Sequence, residues 1–404
     1  MGKITWEIPE GVKKEDILTL DVVDSRGNVK KKTQKISEFF NHLVSYGGFC
    51  IEEGTIKIWG DYSIFVPINA FITLFDKMKE EIGEKGTEEI FYWLGRMNGK
   101  NATEMLIKRF GANKKDIPLF VNGATQDGMG YLQIHEYDKK NFKYGVVVGT
   151  NSILAESHKK HNGVQKKQID YYLAGILAGG VEPLINKDYE VEEIECVAKG
   201  DKKCTYYVRE IKTPNKFSFF KKLKIKEEEI LKKTRKIMLK RKSSFKLFGR
   251  KNITFGDGSF TIDGIKGIDL MNYGKVVLDK IIKELAPTKK EFIEKEFAKE
   301  YVNSIKNRIS KKNLQEILKA IEIFGYGKFK ILFSGSKRIL ISNKNNPYPR
   351  DYIEIFGKQK EGVDKFLCYF LEEIFRANNK QVKVKETKCA SCGGGECVFE
   401  IQFI

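Results

Sequence analysis

The pattern Glu-x2-Cys-x3-Gly-x3-Cys stands twice in this chain of 404 residues. The first copy runs from Glu193 through Cys196 and Gly200 to Cys204, the second from Glu386 through Cys389 and Gly393 to Cys397. An alternating stretch follows each copy, Thr205-Tyr-Tyr-Val-Arg after the first and Val398-Phe-Glu-Ile-Gln after the second. That alternation is the period of a half-buried strand. Four matching positions in one order constrain the chain to two copies of one domain, each closing in a hairpin that carries two cysteines.

The order of expected elements repeats with the motif. The first copy, residues 47–211, shows a strand from Thr55, helices near 67–82 and 87–110, strands from Gly128 and Tyr144, and a late apolar helix near 166–178. The second copy, residues 253–404, repeats this with a strand from Gly258, helices near 274–285 and 289–309, strands from Gly325 and Arg338, and a late helix near 362–377. Strands, then helices, then strands joined by hairpins predict an α+β fold of antiparallel sheets and helices, not alternating α/β units. Residues 1–46 form an N-terminal extension with a strand near 18–23 and a short helix over 35–44. Two duplicated domains in one chain commonly imitate the two-fold interface of a homodimer, so an intramolecular pseudo-dimer is one expected arrangement.

The joint between the copies, residues 212–252, is a basic linker. It carries 16 Lys and Arg against three Glu, so +13 of the chain's net +19 sits there. Ile230, Leu231, Ile237 and Met238 recur at helical spacing and predict a helix over 226–242. Lys232, Lys233, Arg235, Lys236, Lys240 and Arg241 on that helix are candidates for a nucleic acid or other polyanion, whose phosphates such residues neutralise. Phe217, Phe219 and Phe220 beside Lys221 and Lys222 also permit a membrane-surface contact. No uninterrupted apolar run reaches the length of a transmembrane segment. The N-terminus lacks a secretory pattern, so a cytoplasmic location is expected. In such a compartment seven cysteines favour metal binding or free thiols over disulfides.

Two thiolates flanking the turn of a hairpin are placed to share a metal ion. Zinc takes about four ligands from Cys, His and carboxylate. Glu193 is the candidate third ligand beside Cys196 and Cys204, and Glu386 beside Cys389 and Cys397. Residues three apart on a regular strand face opposite sides, so a bulge is required between each glutamate and its cysteine. The late helix offers a fourth ligand. Aligning Tyr171-Tyr-Leu-Ala-Gly-Ile with Tyr369-Phe-Leu-Glu-Glu-Ile sets Asp170 opposite Cys368. The sites expected on this reading are Asp170, Glu193, Cys196 and Cys204, and Cys368, Glu386, Cys389 and Cys397. Cys392 is an alternative ligand in the second, where four thiolates would suit zinc or an iron–sulfur cluster. Reduced, buried thiols or a disulfide are the non-metal alternatives.

The terminal cysteine motif with its following strand resembles the end of the 4-vinyl reductase domain. That family includes the sensor domains of aromatic-responsive bacterial activators and small archaeal hydrocarbon-binding proteins, and its fold is similar to that of TRAPP trafficking subunits. The first copy carries the further features of the resemblance: Pro67 before a helix, Gly95 and Gly99 on the next, Gly128 and Gly130 at a strand entry, Gly175 and Gly179 on the late helix. On the same alignment the second copy has Ala298 and Val302 in place of Gly95 and Gly99, and Glu373 in place of Gly175. The resemblance implies a zinc site of a late-helix cysteine, the glutamate and both hairpin cysteines, from which the first copy departs at Asp170. It also implies an apolar pocket for a small hydrophobic or aromatic ligand, for which Phe91, Trp93, Gly95, Gly99 and His135 are candidates.

No phosphate-cradling glycine loop and no nucleophile–base arrangement is visible, and there are only four histidines. The expectation is therefore a non-catalytic ligand-binding or regulatory protein with structural zinc. The alternatives are an interaction protein acting on polyanions through the linker, and a metal or iron–sulfur dependent reductase.

Overall fold

A computed structural model describes residues 4–7, 17–23, 29–35, 50–58, 61–118, 120–121, 128–213, 216–241, 244–247, 253–256, 259–310 and 312–404. The helix expected over 35–44 lies, but for Lys35, outside them. Three strands come first, β1 (Ile4–Glu7), β2 (Ile17–Val23) and β3 (Val29–Lys35). The first unit follows as β4 (Cys50–Glu52), β5 (Thr55–Ile58), β6 (Asp61–Pro67), α1 (Ile68–Ile82), α2 (Glu84–Phe110), β7 (Tyr131–Tyr137), β8 (Tyr144–Thr150), α3 (Ile153–Asn162), α4 (Tyr171–Ile185), β9 (Tyr189–Glu195) and β10 (Cys204–Glu210). The joint holds α5 (Glu227–Lys240) and β11 (Ser244–Leu247), and β11 pairs with β1 in a sheet of order β11-β1-β2-β3. The second unit repeats the first as β12 (Ile253–Gly256), β13 (Ser259–Ile262), β14 (Ile265–Met271), α6 (Asn272–Leu285), α7 (Lys290–Ile309), α8 (Leu314–Ile321), β15 (Lys328–Ser334), β16 (Arg338–Lys344), α9 (Pro347–Phe356), α10 (Lys365–Ala377), β17 (Val382–Lys388) and β18 (Cys397–Phe403). The molecule is α+β, with antiparallel sheets throughout.

Each unit owns one four-stranded sheet, β7-β8-β10-β9 or β15-β16-β18-β17. A third sheet of six strands, β12-β13-β14-β6-β5-β4, belongs to both. Its central pair, β14 with β6, sets Phe65 opposite Asp269, and these two residues occupy equivalent positions counted from Pro67 and Met271, which precede α1 and α6. An approximate two-fold axis relating equivalent residues therefore passes through that pair. The interface is interlocked. The Gly325-Tyr326-Gly327 turn of the second unit closes on the first unit's hairpin, where Gly327 N donates to Gly54 O at 2.7 Å. Gly128 packs reciprocally on Phe260 and Gly267 of the second unit's hairpin. Gly54, Gly128, Gly325 and Gly327 have positive φ, a conformation a side chain resists. Buried apolar residues of both units run together into one core.

The late helix α4 is apolar but for Glu182, and it is buried from Tyr172 to Glu182. It lies against α2 at unusually short range. A Cβ on Gly95 would meet the Tyr172 carbonyl, one on Gly175 the Tyr92 carbonyl and one on Gly179 the Arg96 carbonyl, all well inside van der Waals contact. The glycines thus serve close helix packing and leave no space there for a ligand.

Candidate metal centres and ligand cavity

Both cysteine hairpins break register at the same place. In β9–β10, Thr205 pairs with Glu195 but Tyr206 pairs with Glu193, leaving Ile194 as the extra residue. In β17–β18, Val398 pairs with Lys388 but Phe399 pairs with Glu386, leaving Thr387. The extra residue turns each glutamate to the face of the cysteine three positions on. A 3-10 turn follows, Val197–Lys199 or Ala390–Cys392, and ends on a left-handed glycine, Gly200 or Gly393. The ligand atoms of Glu193, Cys196 and Cys204 consequently lie within 4.8 Å of one another, as do those of Glu386, Cys389 and Cys397.

The donor set suits zinc. The sulfurs of Cys389 and Cys397 stand 3.9 Å apart. That is far beyond a disulfide bond and close to the roughly 3.8 Å edge of a tetrahedron built on zinc–sulfur bonds of about 2.3 Å. Each glutamate has one oxygen anchored, since Asp170 N donates to Glu193 Oε2 at 3.1 Å and Asp364 N to Glu386 Oε2 at 3.3 Å. The other oxygens, Glu193 Oε1 and Glu386 Oε1, are buried without a hydrogen-bond partner. Such an orphan carboxylate oxygen calls for a cation or a proton. Burial pushes Glu193 up to about 9, with Cys196 adding to the rise, and Glu386 likewise to about 9, with Asp364 adding. The thiol of Cys204 bonds to Cys196 and draws it down to about 6, while Cys397 does the same to Cys389 and draws it to about 4; Cys204 and Cys397 are raised in return.

Asp170 and Asp364 are equivalent. Each is the N-cap of its late helix, with Leu173 N donating to Asp170 Oδ1 at 3.3 Å and Leu367 N to Asp364 Oδ1 at 3.2 Å. The second oxygen accepts from Tyr206 Oη at 3.0 Å in the first unit and from Asn346 Nδ2 at 2.8 Å in the second. Burial raises Asp170 to about 7 and Asp364 to about 6. Counting from these caps, Cys368 falls opposite Ala174, so the expected pairing of Asp170 with Cys368 is out by one helical turn. Likewise Gly175 falls opposite Tyr369, not Glu373. Cys368 is buried, with its thiol pushed up to about 12 by that burial, and it lies outside the group formed by Glu386, Cys389 and Cys397. Cys392 also lies outside that group, 3.9 Å from Ser391 Oγ. Asp364 was not foreseen, although the shared Asp-x2-Leu at the start of both late helices was its signal.

The expected pocket residues scatter. Gly95 and Gly99 face α4. Trp93 donates Nε1–H to Glu227 Oε1 at 2.8 Å and packs on Phe219 and Phe220 of the joint. His135 is the bulged residue of β7 and is exposed. Phe91 alone lines an internal cavity, together with Phe71, Ile72, Phe75, Leu154, His158, Ile169 and Tyr172. The cavity holds about 10 Å³, room for one water. Its polar member is His158, 2 % exposed, with Nε2 3.5 Å from Asp76 Oδ1 and Nδ1 without a partner. Sequence reasoning missed His158 because a lone histidine on a short helix carries no pattern.

The expected polyanion residues divide. Arg241 is held between Asp61 of the first unit and Asp351 of the second, and Arg235 pairs with Glu104 and Lys233 with Glu229. Lys232, Lys236 and Lys240 are exposed on α5. Phe217 and Phe219 are buried against Tyr92 and Trp93, which removes them from any membrane contact. No described helix is long and apolar enough to cross a membrane.

The pattern of the vinyl-4-reductase domain matches residues 156–210, from within α3 to the end of β10. MJ1460, an uncharacterised protein of Methanocaldococcus jannaschii, is 31 % identical over 147 residues, which cover 36 % of this chain and 78 % of that protein. The chain belongs to the vinyl-4-reductase domain family. The matched segment contains the whole first cluster with Asp170, and His158 as well. Among solved structures, the phenol-responsive sensory domain of the transcription activator PoxR with phenol is similar at 17 % identity over 43 % of this chain and 90 % of that one, with a TM-score of 0.39. A vinyl-4-reductase family protein from Methanocaldococcus jannaschii is similar at 26 % identity, over 34 % and 74 %, with a TM-score of 0.21. A trafficking protein particle complex subunit 3 from Naegleria fowleri, covalently bound to palmitic acid, is similar at 13 % identity, over 37 % and 93 %, with a TM-score of 0.27.

Proposed function

We propose that this member of the vinyl-4-reductase domain family is a non-catalytic, regulatory binder of a small hydrophobic ligand, braced by a structural zinc ion in each unit. The observation that carries this reading is the asymmetry between the copies. Both keep the Glu-Cys-Cys cluster, but where the first lines an apolar, helix-walled cavity with Phe71 and Phe75, with His158 for orientation, the second has Lys275 and Asp279 at the matching positions. Glu193, Cys196 and Cys204 hold the first ion and Glu386, Cys389 and Cys397 the second, with Asp170 and Asp364 beside them to fix each glutamate. Zinc in such a set ties the closing hairpin to the late helix through the glutamate and supplies folding free energy. The late helix walls the cavity through Tyr172, so the brace and the ligand site share an element. Ligand entry displaces Phe71 or Phe75, since the cavity as it stands holds one water. Thermal-shift titration with phenols and short fatty acids tests the reading. A Tm rise that disappears in His158→Phe supports it; no rise across the panel sinks it.

A second reading, polyanion binding, is favoured by one observation. Lys232, Lys236 and Lys240 recur every four residues along the exposed face of α5. Binding to duplex DNA or RNA that weakens steeply with salt and is lost in the triple Ala variant would establish it. Salt-insensitive or absent binding would dismiss it.

A further inference from the structure

The two units place different chemistry at one position. Counted from Pro67 and Met271, Phe71 and Phe75 of α1 are matched by Lys275 and Asp279 of α6. Counted from the caps Ser152 and Asn346, Leu154 is matched by Tyr348. Counted from Asp170 and Asp364, Tyr172 is matched by Phe366. Phe297 lies against Lys275 as Phe91 lies against Phe71. The second unit's equivalent of the apolar cavity is thus built around a lysine ammonium group.

Lys275 is only 3 % exposed. Its Nζ sits 2.6 Å from Asp279 Oδ1, and Tyr348 Oη donates to Asp279 Oδ2 at 2.7 Å. Three rings surround the same nitrogen, with centroids at 5.1 Å for Phe366, 5.6 Å for Tyr348 and 5.8 Å for Phe297. Ring faces within about 6 Å attract a cation, most strongly where water is excluded. A carboxylate and three rings around one buried nitrogen form the kind of cage that recognises an alkylammonium ligand. A surface salt bridge needs none of the rings.

We propose that the pocket of the second unit is an alkylammonium site occupied by the chain's own Lys275, which closes that unit to outside ligands. This goes beyond the ligand reading of the first unit and does not depend on it. Deleting the lysine side chain beyond Cβ leaves a space the size of n-propylammonium, lined by Asp279, Tyr348, Phe297 and Phe366.

The test uses the full chain with Lys275→Ala. Its Tm should fall by several degrees. n-Propylammonium chloride should then raise it, whereas n-propanol should not, and wild type should respond to neither beyond a sodium chloride control. An equal response to propanol, or no more response than wild type, overturns the proposal. If Lys275→Ala is not obtained folded, the same two solutes are added during refolding. Recovery with propylammonium but not propanol supports the site; recovery with neither, or with both alike, overturns it. Lys275→Met fills the space without the charge, and wild-type stability in that variant would also overturn the proposal.

Discussion

At the scale of single residues, each cluster sets two coupled thiols beside a glutamate whose carboxyl is pushed up by burial. Glu193 and Glu386 are raised to about 9 in the metal-free protein, against about 4.5 when unfolded. A carboxylic acid whose folded value is raised contributes stability that is present below the unfolded value and is lost as pH rises through the folded one. Asp170 and Asp364 act in the same sense, while the lowered thiols of Cys196 and Cys389 act in the opposite one, so the metal-free protein should lose Tm from about pH 5 to 7 and change little from there to pH 9, and chemical or thermal unfolding after chelation checks this. Zinc has to displace the protons its ligands hold. Zinc affinity should rise with pH over the same window, and calorimetry in buffers of different ionisation enthalpy should register proton release. Cys368 supplies the contrast: Cys368→Ala should leave metal content unchanged, at a packing loss of about 1–2 kcal/mol for a small buried side chain.

Among elements, the closing hairpins were the most legible part of the chain. The spacing of Glu193 and Cys196 demanded a bulge, and both hairpins have one, at Ile194 and Thr387. The late helix was misread by one turn for a physical reason. In Lys365-Phe-Leu-Cys-Tyr-Phe-Leu an aromatic–Leu pair recurs four residues on, so a slip of one turn keeps the same apolar face, and only the cap Asp364 breaks the ambiguity. The short helices α3 and α9 went unseen, and with them His158 and Tyr348, because ten residues give too few turns to establish a period. The glycines of α2 and α4 were legible as small but not as to purpose. Gly175→Ala and Gly179→Ala should each lower stability by about 2 kcal/mol or more, since the new methyl meets a backbone carbonyl that cannot yield. Gly86→Ala, near the start of α2, meets only an Ile82 methyl group and should change little or gain about 0.5 kcal/mol. Equilibrium denaturation of the three variants separates the cases.

For the whole molecule, an internal two-fold relates the two units, with the β6–β14 pair at its axis. The charge of the joint was legible, but not that one member, the half-buried Arg241, acts as a clasp. It pairs with Asp61 and Asp351 across the units and lies 4.5 Å from the centroid of the Tyr62 ring. Arg241→Met should cost about 3–5 kcal/mol by leaving two buried carboxylates unpaired. Adding Asp61→Asn and Asp351→Asn should recover much of that loss in the same unfolding measurement. The two units have diverged in their pockets, one apolar around His158 and one charged around Lys275, while their cysteine clusters have stayed alike. The most direct test of that division is the zinc content of the purified chain by mass spectrometry, in wild type and in the pairs Cys196→Ser with Cys204→Ser and Cys389→Ser with Cys397→Ser. Two zinc ions per chain, falling to one in either pair, is the predicted result; a chain without zinc, or one whose zinc survives both double substitutions, would contradict it.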